Sequence, residues 1–207
     1  MTLAAFASIP SIGCLGLASN LMHATGMDMV PAEYEGFEET RTAIVVRTPS
    51  LRHSADPTAE EMSRRLKDEM MSHISDLTLI RREEIVSWYD SHGWDNRDYQ
   101  QLGNDLGADR VLIVDLDNVK LREGGTLYRG TCDATAEVID VTSGGLVHTQ
   151  SIDEFTYPKF AGQHVSETTE KRFRSLYLNV LASEIVRAYR KYDAHERFAL
   201  DGKIASQ

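Results

Sequence analysis

Hydrophobic residues recur along this chain in two rhythms, one every second residue and one every third or fourth, and the alternation of the two lays out an order of elements. Ala43, Ile44, Val45 and Val46 form an unbroken β-branched run between Arg41 and Pro49, the pattern of a central strand covered on both faces. Thr58-Ala59-Glu60-Glu61 reads as a capping box, and Met62, Leu66, Met70 and Ile74 then recur every four residues, predicting an amphipathic helix of about four turns that covers one sheet face. Residues 77–80 make a short second strand. Ile85, Val86 and Tyr89 carry a helix over 82–92 that Gly93 ends; Asn96 caps another bearing Tyr99, Leu102 and Leu106, with Gly107 just past its end.

The second half changes rhythm. Residues 110–117 are apolar at first and alternate afterwards through Val119 and Leu121, Gly124-Gly125 turns the chain, and residues 127–141 alternate throughout. Thr142-Ser143-Gly144-Gly145 is a hairpin signal leading into a strand over 146–155, so these three strands form an antiparallel meander. A long helix is expected over 165–192, with Phe173, Leu176, Tyr177, Val180, Leu181, Ile185, Ala188 and Tyr189 as its buried stripe and Lys171, Arg172, Arg174, Arg187, Arg190 and Lys191 as its solvated face. The order β-α-β-α-α-β-β-β-α predicts an α/β (α+β) fold: a mixed sheet with an antiparallel three-strand meander, helices packed on it and a long C-terminal helix.

Before residue 28 the texture is different. Residues 1–27 contain no Asp, Glu, Lys or Arg, and the run 3–9 is apolar and followed by Ser11-Ile12-Gly13-Cys14. This resembles a bacterial lipoprotein signal, in which the cysteine thiol receives diacylglycerol before cleavage; Cys14 would then be the lipid-bearing N-terminus. Ser11 stands where Leu is usual, and no Lys or Arg precedes the apolar run. An uncleaved anchor over residues 4–22 is long enough to cross a bilayer, which takes about 20 apolar residues, and a soluble protein with an unstructured N-terminus is the third reading. The chain divides accordingly into a leader over 1–14, a tether and connecting loop over 15–39, a single domain over 40–193 and a tail over 194–207. With 42% hydrophobic and 26% charged residues the chain has ordinary globular composition, which speaks against a polytopic membrane protein.

Two segments carry a resemblance when taken together. Residues 102–113, Leu-Gly-Asn-Asp-Leu-Gly-Ala-Asp-Arg-Val-Leu-Ile, resemble a helix, Gly-Ala-Asp, strand step; residues 135–147, with Asp140-Val141-Thr142-Ser143-Gly144-Gly145, resemble a strand, Thr-Gly turn, strand step. Both are similar to envelope domains related to the curli-secretion lipoprotein, the lipoprotein activators of penicillin-binding proteins and the amino-terminal domain of TolB. The wider pattern, with Val30-Pro31-Ala32-Glu33-Tyr34 and Glu154-Phe155-Thr156-Tyr157-Pro158, resembles an uncharacterised family of planctomycete lipoproteins. The resemblance implies a membrane-anchored location facing the periplasm in a bacterial cell envelope and an envelope protein as partner. The 126–155 hairpin is too short to supply extra barrel strands, which speaks against a secretion channel.

Charge and motifs narrow the chemistry. Of the 207 residues, 22 are Lys or Arg and 32 are Asp or Glu, a formal charge of −10 that repels phosphate backbones and disfavours nucleic acid as a partner. No phosphate-cradling loop, nucleophile elbow or His-Glu-x-x-His occurs, no cofactor is implied, and the reading is of a non-catalytic interaction or assembly module. The alternative is a metal-dependent envelope hydrolase, since Asp115 and Asp117 share one strand face and, with His148, Asp153 or Glu154, would supply hard-cation ligands. Cys132 sits on the same face as Tyr128, Ala134, Ala136 and Val138 and reads as a buried structural thiol. Phe155, Tyr157 and Phe160, around Pro158, are the aromatic cluster expected to meet a protein partner.

Overall fold

A computed structural model describes residues 29–49, 56–160 and 162–193. Cys14, the rest of the leader and the tail beyond Asp193 lie outside the described residues.

The chain opens with the two-residue strand β1 (Met29–Val30) and the central strand β2 (Arg41–Arg47). Helix α1 follows (Pro57–His73), then strand β3 (Thr78–Leu79) and helices α2 (Arg82–His92) and α3 (Tyr99–Leu106). The meander is β4 (Arg110–Glu123), β5 (Leu127–Asp140) and β6 (Leu146–Tyr157). Strand β7 (Gln163–His164), helix α4 (Glu170–Arg187) and strand β8 (Tyr192–Asp193) complete the described fold. The main sheet runs β3-β2-β4-β5-β6, with β7 on β5. β2 is parallel to β3 and to β4, whereas β4, β5, β6 and β7 pair antiparallel, so the sheet is mixed as the order of elements implied.

Both faces of β2 are covered. On one, α1 and α4 bury Met62, Leu66, Met70, Phe173, Tyr177, Leu181 and Ile185 against Ile44, Leu112, Val114 and the inward row of β5. On the other, α2 and α3 cover Ala43, Val45, Val111, Ile113 and Val141. Met62, Leu66 and Met70 are fully buried, so truncating any one to Ala removes about 2–5 kcal/mol. The row Tyr128, Gly130, Cys132, Ala134, Ala136 and Val138 alternates with half-buried neighbours along the whole of β5, and its small members let α4 lie close.

Several local readings are corrected by the structure. Asp56, not Thr58, caps α1: its carboxylate accepts from the N–H groups of Thr58 and Ala59 at 2.8 and 3.4 Å, with Pro57 opening the first turn where its missing N–H costs nothing. Asp98, not Asn96, caps α3 by accepting from Gln101 N at 2.8 Å, and Asn96 instead accepts from Asp98 N. Gly107 ends α3 at φ 64°, the left-handed conformation the C-terminal glycine suits. The last helix spans 170–187 and not 165–192, because residues 163–164 pair with β5, Val165 N donates to Thr126 O, and Tyr192 is drawn into β8.

The expected tether also ends early. Val30 pairs with Tyr192, Glu33 and Tyr34 donate their N–H groups to Ala188 O, and Phe37 is fully buried among Tyr34 and Tyr189, so residues 29–39 belong to the domain. This segment closes over the end of α4, where the reading of a solvated cation face fails for Arg187 and Arg190 and holds for Lys191. Arg187 and Arg190 are buried, and Arg187 pairs with Glu184 and lies 5.1 Å over the Tyr192 ring. Lys171 and Arg172, at the other end, are not buried.

Gly130 meets α4 most closely: a Cβ there would stand 2.1 Å from the Tyr177 ring. Gly130→Ala is therefore expected to destabilise the domain by about 1–3 kcal/mol, while Gly125→Ala, with nothing within 4 Å of its Cβ, leaves stability unchanged. Urea denaturation of the two variants side by side measures the difference.

Candidate functional site

The aromatic cluster expected at the surface is divided by a β-bulge. Opposite Asp133, β6 carries extra length between Ile152 and Phe155, and Glu154 takes φ 47°. Before the bulge the even-numbered residues of β6 share the face of Ala134 and Ala136; after it Phe155 pairs with Cys132, so the odd-numbered residues turn inward. Tyr157 is consequently buried at 3% exposure, and Phe155 packs 5.9 Å from Tyr177, whose hydroxyl donates to Phe155 O at 3.0 Å. Neither belongs to a surface patch, which corrects the expectation for both. Phe160 is 85% exposed, with the Lys159 ammonium 5.8 Å from its ring centre.

Of the two carboxylates proposed as metal ligands, Asp115 is engaged elsewhere. Arg47, paired in register with Asp115 across β2 and β4, reaches both oxygens of the Asp115 carboxylate through Nε and Nη2, and its Nη1 donates to the Tyr99 hydroxyl. Burial alone would lower the Arg47 pKa, but the Asp115 hydrogen bond and the neighbouring charges of Tyr99 and Asp115 raise it above its ordinary value. The Tyr99 hydroxyl is raised mainly by burial, against the pull of Arg47. A guanidinium clamped on two carboxylate oxygens neutralises the charge a divalent ion needs.

Asp117 stands opposite Asp133, which accepts from Asn118 Nδ2 at 2.7 Å and from Glu154 N at 2.8 Å. Those two bonds hold the Asp133 carboxyl below the usual carboxylate range. His148 lies on the far face of the sheet, its ring 5.4 Å from Tyr34 and 5.5 Å from Tyr189. Among the described residues, no group of three or more His, Cys, Asp and Glu is placed to hold a metal ion. The structure thus builds a locked ion pair where the sequence suggested ligands. Cys132 is buried on the α4 side, with its Sγ 3.3 Å from Asp117 O and 3.1 Å from Asp133 O.

One surface feature was not anticipated. Among the described residues, β6 is twelve residues long and forms an edge of the main sheet, whereas β3 at the opposite edge has two. Exposed edges are usually blunted with Lys, Pro, bulges or short length; β6 contains no Lys, Arg or Pro, its charges, Asp153 and Glu154, sit together at one bulge, and a second register shift falls at Val147. Five large hydrophobic residues are exposed among the described residues, and three of them, Leu146, Val147 and Phe160, lie on β6 or just beyond its end. The sequence showed the hairpin but not which strand would be left at the rim.

No family model matches the chain, and no curated protein matches it. Solved structures similar to it include the PelC dodecamer from Paraburkholderia phytofirmans, at 13% identity and TM-score 0.44, covering 78% of this chain and 94% of that one. Lipoprotein GNA1162 from Neisseria meningitidis is similar at 14% identity and TM-score 0.42, covering 81% and 99%. The LpoB C-terminal domain from Escherichia coli is similar at 13% identity and TM-score 0.37, covering 66% and 90%. At these identities and TM-scores none of them assigns a role to this chain.

Burial, with the charges of Asp133 and Asp117 adding to it, pushes the Cys132 thiol up to about 12. In the Cys14→Ala chain, where Cys132 is the remaining thiol of two, no reaction with Ellman's reagent is expected at pH 8 in the native state and full reaction in denaturant, where the thiol returns to about 8.5. Because the folded thiol holds its proton more tightly than the unfolded one, its contribution to stability is complete below about pH 8.5 and is lost as pH rises toward the folded value. Prompt native labelling would show that the thiol is reactive and not structural.

Proposed function

We propose that this protein is a non-catalytic module of the bacterial cell envelope, tethered through lipid on Cys14 and facing the periplasm, which works by docking an extended segment of a protein partner along β6. The observation that carries this reading is the concentration of exposed apolar side chains, Leu146, Val147 and Phe160, on and beside a long strand edge that is free among the described residues. Main-chain groups along such an edge supply affinity for an added strand, and the side chains beside it supply selectivity. The bilayer is the second partner, through the leader; nucleic acid and cofactors have no part in the reading. Among the described residues no helix is long and apolar enough to cross a membrane. The clamped Arg47–Asp115 pair takes Asp115 out of the ligand pair on which the hydrolase alternative relies.

Two measurements test the two halves of the proposal. Mass spectrometry of the mature protein is expected to find a diacylglyceryl thioether on Cys14 at a new N-terminus, absent from Cys14→Ala; an intact Met1 on freely diffusing molecules contradicts the anchor. A photocrosslinking amino acid placed at Val147 or Phe160 of the full chain in its native envelope is expected to give discrete protein adducts, and the same group at Met71, an exposed residue of α1, to give none. Equal labelling from all three positions, or none from any, removes the docking claim.

A further inference from the structure

Which partner the β6 edge fits follows from its hydrogen-bonding phase and its charge. At the hairpin Asp140 N donates to Gly145 O and Gly144 N donates to Asp140 O, so the peptide groups of Asp140 point toward β6. Alternation along β5 gives Val138, Ala136 and Ala134 the same direction, and Val141 N donates the other way, to Asp109 O. The partners of those three residues, His148, Gln150 and Ile152, therefore turn their peptide groups inward to β5. Thr149 and Ser151 turn theirs out, to the free edge.

Charge then selects among occupants. Residues 146–152, Leu-Val-His-Thr-Gln-Ser-Ile, carry no Asp, Glu, Lys or Arg in a chain of formal charge −10. A strongly basic segment finds no carboxylate along this stretch to pair with, and an acidic one no cation. The edge suits another neutral strand, and the strand that meets this description on the page is β6 itself.

We infer that the occupant is a second copy of this chain, docked by antiparallel pairing of β6 with β6 about a two-fold axis at Thr149. This rests on the reading of β6 as the docking element and names its partner. In that register Thr149 faces its own copy through a pair of main-chain hydrogen bonds and His148 faces Gln150, within the stretch of β6 that keeps regular register on β5; beyond His148 the register slips by one residue at Val147. No like charges meet in this stretch, and Val147, exposed at 45% in the single chain, lies at the end of the paired segment. Moving the axis to Gln150 instead centres the pairing on a residue whose peptide groups are already turned inward to β5. The interface is isologous and closes at two copies, joining the two main sheets into one.

The test uses the full chain carrying Cys14→Ala, so that lipid does not drive association. Sedimentation is expected to show a dimer that strengthens as NaCl is raised, because two copies at −10 repel and salt screens that repulsion. Val147→Lys is expected to weaken the dimer by about tenfold or more with unchanged circular dichroism. Thr149→Cys is expected to oxidise to a covalent dimer, since facing antiparallel residues stand about 5.5 Å apart, within disulfide range. Ser151→Cys, offset from its own copy in this register, is expected not to. A monomer at all concentrations, a dimer indifferent to Val147→Lys, or covalent dimers from Ser151→Cys in preference to Thr149→Cys overturns the inference. Should the purified chain stay monomeric while Val147 still crosslinks to a different envelope protein, the docking reading survives and the second copy does not.

Discussion

The strip of small side chains along β5 sets how closely α4 can approach the sheet, and most of the architecture depends on that approach. Gly130, Cys132, Ala134 and Ala136 present little more than backbone to the helix, so Tyr177 lies against Gly130 and Leu181 and Ile185 reach the full depth of the core. Larger residues in this row would lift the helix and open voids around side chains that are now fully buried, a loss that scales with the cavity created. With α4 seated, its C-terminal end becomes the floor on which residues 29–39 fold back, carrying Phe37 into the same core. The ends of the described chain are then held side by side, Met29 against Asp193.

The helices divide unevenly over the two sheet faces. α1 and α4 cover one face widely, while α2 and α3 cover only the end of the other where β2, β4 and the start of the β5–β6 hairpin meet. Beyond Ile113 that second face turns polar. There Arg47, Asp115 and Thr135 stand in one cross-strand row, and Arg47 and Asp115 neutralise each other. Within the meander the uncovered face is polar, and its rim, β6, retains outward-turned peptide groups beside apolar side chains. The proposed docking of an added strand falls on the rim for that reason.

Much of the fold was legible because local rules and burial agree. The apolar run of β2, the four-residue recurrence of Met62, Leu66 and Met70, the Gly107 stop and the alternation of β5 each announce an element whose place in the structure matches. The candidate site was far less legible. Phe155 and Tyr157 were assigned to the surface from their position around Pro158, but one added residue at Glu154 changes the phase of the strand and sends both inward. Asp115 looked free because its partner, Arg47, is 68 residues away in the chain. Arg187 and Arg190 looked solvated because helical spacing alone shows nothing of the segment that covers them.

By itself the amino-acid sequence determined the periodicities, and with them the number, order and inward faces of the principal elements, since each depends on residues within a few positions of one another. It also determined an uncharged stretch over residues 1–27 that contains Cys14. Only the tertiary structure decided which carboxylates are clamped, which aromatics are buried and which strand is left at the rim. Those outcomes depend on registers between segments far apart in the chain, where a shift of one residue reverses the face that a side chain presents.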